Sequence, residues 1–140
     1  MVSATARPAQ PLLSAVVPFL NEAANLPRLI SSLEQHLGVL RVPWELVLVD
    51  DGSRDESLAV ARREIQARPA LRATLLSLSR NFGKEAALTA GLEAAVGDVV
   101  VPLDADLQDP PELIADMVRE WQLGADVVLM RRREREGETW

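Results

Sequence analysis

Apolar and polar residues follow two rhythms along this chain. Short apolar runs bounded by turn residues are typical of strands buried on both faces, whereas longer segments repeat apolar residues at helical spacing. The predicted strands are SAVVPF, WELVLVD, ATLLSLS, DVVVPLD and ADVVLM, and the predicted helices cover about Glu22 to His36, Arg54 to Arg68, Lys84 to Val96 and Pro110 to Gln122. Such alternation predicts a doubly wound α/β domain, in which a mostly parallel sheet carries helices on both faces.

Helix start signals support two of these boundaries. Asp109 followed by two prolines and Glu112 predicts an N-cap with a capping box at the fourth helix, and Ser53 with Glu56 predicts the same arrangement at the second.

The domain organisation is simple. Residues 1–10 (MVSATARPAQ) are small and polar, and they are predicted to form a flexible leader. Residues 11–140 contain no long linker, and the fifth predicted strand runs into RRREREGETW without a closing helix. We therefore expect residues 11–140 to be the front portion of a larger domain, truncated at its C-terminus.

Composition and charge narrow the function classes. The chain is 48% hydrophobic and 26% charged, which is ordinary for a soluble globular protein. Its formal net charge of -6 disfavours nucleic acid as a partner. With no cysteine and one histidine, His36, the chain lacks the ligands of a thiolate or multi-histidine metal site, so any metal would be bound by oxygen.

Polar residues follow the ends of four predicted strands. In an open parallel sheet, ligands bind outside the carboxyl ends of the strands. Any one of these loops could be a simple turn or helix cap, but together they favour a ligand site. The residues concerned are Asn21 and Glu22, Asp50 and Asp51, Arg80 and Lys84, and Asp104 and Asp106.

Asp104 and Asp106 carry the sharpest chemical signal. Side chains two apart on an extended strand share a face, and two such carboxylates repel unless a cation such as Mg²⁺ or Mn²⁺ binds between them. The alternative is a pair of solvated loop acids. Lys84 begins a predicted helix, where a cation opposes the helix dipole, and this position favours a nearby anion such as a diphosphate.

The chain resembles a known family. The segments VVPFLNEAANL, ELVLVDDGSRDES, LSRNFGKEAALTAGL and PLDADLQDPPELI are similar in order and spacing to family 2 glycosyltransferases of the GT-A fold, from about Ser14 to Trp140. More narrowly, they resemble the branch that moves a sugar from a UDP- or GDP-linked donor to polyprenyl phosphate, such as dolichyl-phosphate mannose synthases. The resemblance implies a metal-dependent, inverting glycosyltransferase that acts at the cytoplasmic face of the membrane.

The resemblance also implies roles for individual residues. Asp104 and Asp106 would bind Mg²⁺ or Mn²⁺, and Gln108 would lie close to the sugar as a further catalytic residue. The nucleotide-sugar would be bound by Pro18, Asn21, Glu22, Asp50, Asp51, Arg80, Lys84, Arg132 and Arg135.

Two other readings stay open. The chain could bind a nucleotide-sugar without turnover, because the family's acceptor-binding region would lie beyond these residues. It could also be a phosphoacceptor receiver domain, which is doubly wound and has an acidic pocket with a lysine. That class places its acidic pair after the first strand, where this chain has Pro-Phe-Leu-Asn-Glu, and the order argues against it.

Overall fold

The computed structural model describes residues 10–106 and 113–125. Four strands alternate with four helices in this part of the chain. In order they are β1 (Leu13–Phe19), α1 (Leu26–Leu40), β2 (Trp44–Asp50), α2 (Ser57–Gln66), β3 (Ala73–Ser77), α3 (Lys84–Ala94), β4 (Val99–Pro102) and α4 (Ile114–Gln122). The predicted fifth strand, apart from Ala125, lies outside the described residues, as do residues 1–9 of the predicted leader.

The strands form one parallel sheet in the order β3-β2-β1-β4. β1 pairs with β2 along its whole length, from Leu13↔Trp44 to Phe19↔Asp50. β1 also pairs with β4, but only from Leu13↔Val99 to Val16↔Pro102. From β1 the chain adds β2 and β3 on one side and then places β4 on the other side of β1. The switch point of this doubly wound fold therefore lies between β1 and β4.

Helices cover both faces of the sheet, as predicted. Alternate residues of β1, such as Leu13 and Val17, belong to a buried cluster shared with α1, α2 and α4. Val16 belongs to a second cluster with Val47, Val49 and Ala87 of α3. The central strands are apolar on both sides because both sides are buried.

α3 packs unusually close to the sheet because of a glycine. A Cβ atom added at Gly91 would come within 2.5 Å of Val16 Cγ1. Only a residue without a side chain allows this approach. The position of α3 therefore depends on Gly91.

A buried polar cluster anchors the segment just after α3 to the sheet. The Ser14 hydroxyl and the Val96 N–H both donate to the Glu45 carboxylate, at 2.5 and 2.7 Å, and the Gly97 N–H donates to Ser14 Oγ at 2.8 Å. Ser14 and Glu45 are both buried. These bonds fix the C-terminal end of α3 and so orient its N-terminal end at the opposite edge of the sheet.

Two predicted helix starts are wrong, and the cause is the same in both. α1 begins at Leu26 instead of Glu22, and α2 begins at Ser57 instead of Arg54. The predicted capping role of Ser53 is also wrong, because its hydroxyl accepts the Asn21 N–H at 2.9 Å. The loops before both helices are joined through Asn21, whose N–H donates to Ser53 and whose side-chain carbonyl accepts the Arg54 and Asp55 N–H groups. Between this contact and α1, the Asn25 and Leu26 N–H groups close a turn on the Glu22 carbonyl. Asp109, the predicted cap of the fourth helix, lies outside the described residues.

Candidate functional site

A pocket lies at the carboxyl ends of the strands, where β1 and β4 separate. Its volume is about 300 Å³. Ligands of doubly wound sheets bind at this switch point. The lining residues are Pro18, Phe19, Leu20, Glu22, Asp51, Asn81, Gly83, Lys84, Ala87, Ala105 and Asp106.

Pro18 lies in the central strand β1, where a proline normally costs a ladder hydrogen bond. Residues two apart in a strand direct their backbone groups to the same neighbour, and the Val16 carbonyl accepts the Leu103 N–H at 2.9 Å on the β4 side. Pairing with β4 has ended by residue 18, since Val16↔Pro102 is the last pair. An N–H group at position 18 would thus point into the crevice between β1 and β4 and would have no β4 partner, so proline costs the sheet no hydrogen bond there.

Asn21 joins the loop after β1 to the loop after β2. Its side-chain carbonyl accepts the backbone N–H groups of Arg54 (2.8 Å) and Asp55 (3.3 Å), and its own N–H donates to Ser53. Its φ of 54° lies in the left-handed region, which asparagine tolerates better than most residues. Asn21 therefore sets the shape of one wall of the site.

The next residue extends the same connection. The Glu22 N–H donates to the buried Ser57 hydroxyl at 2.7 Å, and the Glu22 carboxylate accepts the Asn25 side-chain amide at 2.7 Å. The Ser57 hydroxyl and N–H donate to the Asp55 carboxylate, and the hydroxyl contact is the main reason that the pKa of Asp55 lies below its ordinary value of 3.8. Glu22 lines the pocket, whereas Asp55 is exposed beside α2.

Asp50 is the last residue of β2 and Asp51 follows it, and both buried carboxylates accept hydrogen bonds from loop backbone. Asp51 Oδ1 accepts the Phe82 N–H at 2.9 Å and Oδ2 accepts the Gly83 N–H at 3.1 Å. Asp50 Oδ1 accepts the Ser53 N–H at 3.0 Å, which closes the turn after β2. Both acids shape the loops around the pocket, and Asp51 also lines it.

Gly52 allows the loops after β2 and β3 to touch. Its φ is 76°, and an added Cβ would lie 2.4 Å from the backbone carbonyl carbon of Arg80 and 2.4 Å from the backbone nitrogen of Asn81. No side chain fits between these loops. The Asp-Gly sequence thus has a packing reason beyond its turn conformation.

Arg80 and Phe82 form an exposed pair beside the pocket. The Arg80 guanidinium carbon lies 4.5 Å from the Phe82 ring centroid, a cation–π distance. Phe82 is 48% exposed. Arg80 is therefore engaged with the loop that carries Asn81 and Gly83, and it is not among the residues that line the pocket.

Lys84, which lines the pocket, connects α3 to Asp104, the second residue after β4. The Lys84 Nζ atom lies 2.7 Å from Asp104 Oδ1. Lys84 is the first residue of α3, and Asp104 lies just after β4. Asp106 lines the same pocket. The predicted DxD acids and the predicted lysine thus lie together.

The donor set fits a hard divalent cation. Mg²⁺ and Mn²⁺ commonly bind one or two carboxylates and complete their shell with water and substrate phosphate oxygens. Asp104 and Asp106 supply two such carboxylates, and the Lys84 ammonium occupies a position where positive charge is stabilised. Within residues 10–106 and 113–125, no three acidic, histidine or cysteine side chains form a metal-binding cluster. A metal at this site would therefore depend on ligands beyond these two carboxylates.

The pocket brings together five of the predicted site residues, and its lining also includes residues that were not predicted. The five are Pro18, Glu22, Asp51, Lys84 and Asp106. The unpredicted residues include Phe19, Ala87 and Ala105, which are buried behind the pocket, and Leu20, which is partly exposed; Asn81 adds an amide. Their positions at strand ends and in the first turn of a helix are a weak sequence signal for a ligand site. Apolar residues at such positions cannot be told from ordinary core residues in the sequence. Gln108, Arg132 and Arg135 lie outside the described residues, and their predicted roles stay predictions.

The family model described as Glycosyl transferase family 2 matches residues 14–140. This match confirms the predicted resemblance over the predicted range.

Individual relatives agree with the family match. The chain is 46% identical over 91% of its length to an uncharacterized glycosyltransferase of Synechocystis, of which it covers 40%. It is 43% identical over 92% of its length to the undecaprenyl-phosphate 4-deoxy-4-formamido-L-arabinose transferase of Pseudomonas aeruginosa, of which it covers 38%. The chain thus spans about two fifths of the length of the curated relatives it matches.

A solved structure shares the fold. The mannosyltransferase PcManGT of Pyrobaculum calidifontis, determined with GDP-Man and Mn²⁺, matches with a TM-score of 0.71 at 29% identity. The match covers 85% of this chain and 34% of the mannosyltransferase. The predicted GT-A type of fold is therefore confirmed.

Proposed function

Since this chain belongs to glycosyltransferase family 2, we propose that it forms the donor-binding portion of an enzyme that transfers a sugar from a nucleotide-sugar to polyprenyl phosphate. The observation that carries the proposal is the contact of Asp104 with Lys84, because Lys84 and Asp106 both line the switch-point pocket. A positive charge next to carboxylates of the kind that bind divalent cations suits a diphosphate ligand.

The pocket offers matching chemistry for the rest of the donor. The partly exposed Leu20 side chain suits the flat face of a nucleobase, and Glu22 and Asn81 provide polar groups for ribose hydroxyls or base edges. Asn21, Asp50 and Asp51 would contribute mainly by holding the loops in place, because their carbonyl or carboxylate oxygens accept backbone N–H groups. UDP and GDP donors both remain within this proposal.

The proposed reaction is a direct displacement with inversion at the anomeric carbon. A divalent cation bound by Asp104 and Asp106 would supply electrostatic stabilisation of the leaving diphosphate. Lys84 would add positive charge at the same place. A phosphate acceptor is already anionic near neutral pH, so the reaction makes little demand on a general base. His36 lies within α1, where its Nδ1 is 2.8 Å from the Ser32 carbonyl oxygen, and we assign it no role.

The polyprenyl phosphate acceptor rests on the relatives and on the sequence resemblance. The Pseudomonas aeruginosa relative is named for transfer to undecaprenyl phosphate. None of the helices within the described residues is long and apolar enough to cross a membrane. We propose that the whole protein works at the cytoplasmic face of a membrane, where its lipid acceptor would be reached.

Calorimetric titration with UDP, GDP and their sugar conjugates, with and without Mn²⁺, tests the donor part of this proposal. We expect one nucleotide to bind, and to bind only when Mn²⁺ is present. Failure of every nucleotide to bind the full-length protein would overturn the proposal.

A second function, nucleotide-sugar binding without turnover, is favoured by one observation. The chain covers only 38% to 40% of the length of these curated relatives, and its described residues form a pocket at the strand ends that would suit a donor. Release of nucleoside diphosphate in the presence of polyprenyl phosphate separates the two functions, because a binding module would bind the donor and release none.

A further inference from the structure

Lys84 is the only lysine of the chain, and it lies opposite a predicted metal ligand. Its ammonium group is 2.7 Å from Asp104 Oδ1, and the side chains of Lys84 and Asp104 are 31% and 22% exposed. The pair is therefore partly shielded from water, which favours the ion pair, and it is still exposed enough for solutes to reach.

The location of Lys84 is electrostatically unfavourable without an anion. It is the first residue of α3, and a cation at a helix N-terminus opposes the helix dipole. The backbone immediately before it is held by Asp51, which accepts the N–H groups of Phe82 and Gly83. The fold thus places the ammonium group at Asp104 through a loop that is itself fixed to β2.

We propose that Lys84 is a positioning residue that exchanges partners during donor binding. It neutralises Asp104 before the metal arrives, and it moves to the donor diphosphate when a divalent cation takes its place on Asp104. This exchange rests on the proposed function, in which the same site binds a divalent cation and a nucleoside diphosphate.

The exchange has a thermodynamic consequence. A divalent cation that binds alone must displace Lys84 from Asp104 and leave an ammonium group without that carboxylate. When a diphosphate binds as well, the ammonium group gains a new anionic partner. Cation and nucleotide therefore strengthen each other's binding, and the coupling is the same in both directions. Lys84 makes the site discriminate against metal without donor.

The variant Lys84→Gln removes the exchange. Without its competing cation, the site should bind Mn²⁺ alone more tightly, by roughly fivefold, which corresponds to a modest ion pair. In the presence of Mn²⁺ the same variant should bind the nucleotide more weakly, by at least about fivefold, the lower end of typical coupling. Mn²⁺ binding is followed by electron paramagnetic resonance of the free ion, and nucleotide binding by calorimetry.

Arg62→Gln is the matched control. Arg62 is exposed on α2, away from the pocket, and its removal changes the net charge by the same amount. It should leave both affinities unchanged. Lys84→Arg should restore most of the nucleotide affinity, because it keeps the positive charge.

A spectroscopic measurement follows Lys84 itself. In protein labelled with [ε-¹³C]lysine, the Lys84 resonance is identified as the one that the Lys84→Gln variant lacks. Mg²⁺ with the nucleotide selected by calorimetry should shift this resonance, and Asp104→Asn should shift it in the absence of both. A resonance that does not move when Mg²⁺ and nucleotide bind would mean that Lys84 keeps its partner, and the exchange would be wrong.

The outcomes separate this inference from the proposed function. Tighter Mn²⁺ binding with weaker nucleotide binding in Lys84→Gln supports both. Unchanged or weaker Mn²⁺ binding in that variant overturns the exchange, while metal-dependent nucleotide binding by the wild type still supports the donor site. Nucleotide binding without any metal requirement also overturns the exchange and leaves a metal-independent donor site.

Discussion

Asp51 and Gly83, 32 residues apart in the chain, are joined by a hydrogen bond from the Gly83 N–H to Asp51 Oδ2 at 3.1 Å. The other oxygen of the same carboxylate accepts the Phe82 N–H. A buried acid at the end of β2 thus determines the path of the chain into α3, and α3 begins with the lysine that contacts Asp104.

Replacement of Asp51 tests this structural role. Asp51→Asn keeps one carbonyl oxygen for the Phe82 N–H but turns an amide NH₂ towards the Gly83 N–H, which then keeps only its 3.0 Å contact with Asn81 Oδ1. We expect the free energy of unfolding to fall by about 1–3 kcal/mol in urea denaturation. Glu93→Gln, at an exposed position of α3, should change it by less than about 0.5 kcal/mol. Equal stability of Asp51→Asn and wild type would show that the loop does not depend on this carboxylate.

The left-handed conformation of Asn21 gives a second prediction. Asn21→Ala loses the side-chain acceptor of two N–H groups and places alanine at φ 54°, so we expect a loss of about 2 kcal/mol in the free energy of unfolding. Asn21→Gly loses the same hydrogen bonds but adopts this backbone conformation without strain. It should be the less destabilised variant in the same denaturation experiment. The reverse order would contradict the assigned backbone strain.

The close approach of α3 to the sheet gives a third prediction, which concerns Gly91. Gly91→Ala places a methyl group 2.5 Å from Val16 Cγ1, and overpacking of this kind costs about 1–3 kcal/mol. Gly38→Ala in α1 is the control, because no atom lies within 4 Å of the added Cβ. The control should gain about 0.5–1 kcal/mol from helix propensity. Thermal unfolding should therefore shift in opposite directions for the two variants.

The lowered pKa of Asp55 makes stability depend on pH. Its carboxylate is favoured in the folded state chiefly by the Ser57 hydroxyl, so the folded protein binds this proton less readily than the unfolded chain does. The resulting stabilisation is complete above the ordinary pKa of 3.8 and is lost as pH falls through the lowered folded value. The stability difference between wild type and Asp55→Asn should therefore shrink as urea denaturation is repeated from pH 6 down to pH 3. A difference that stays constant over this range would rule out a contribution from Asp55 ionisation.

The two acids of the DxD motif should affect binding more than folding. Both are partly exposed at the pocket, so Asp106→Ala should keep the melting temperature within a few degrees while metal-dependent nucleotide binding is lost. Asp104→Ala should also abolish this binding, with the added loss of the Lys84 contact. Calorimetry and thermal unfolding of both variants test the assignment. Retained metal-dependent binding in either variant would remove that acid from the proposed metal site.

Much of the fold could be predicted because the relevant signals are local. Apolar runs such as WELVLVD and the helical spacing of Leu26, Leu29, Ile30 and Leu33 reflect burial on one or both faces, and burial is visible in the order of residues along the chain. Parallel strands place their carboxyl ends at one edge, so the polar residues after each strand could be assigned to a common site.

The starts of α1 and α2 and the roles of Asn21, Ser53 and Asp51 were decided by the tertiary structure. Each of these residues bonds to a loop about 30 positions away, and those loops are neighbours only because β2 lies beside β1 on one side and β3 on the other. A capping serine and a loop-bridging serine have the same local sequence. The order of residues by itself determined which segments are strands and helices and where the polar edge lies. Which partner each polar side chain bonds to depends on strand order and loop contact, since hydrogen bonds require proximity in space.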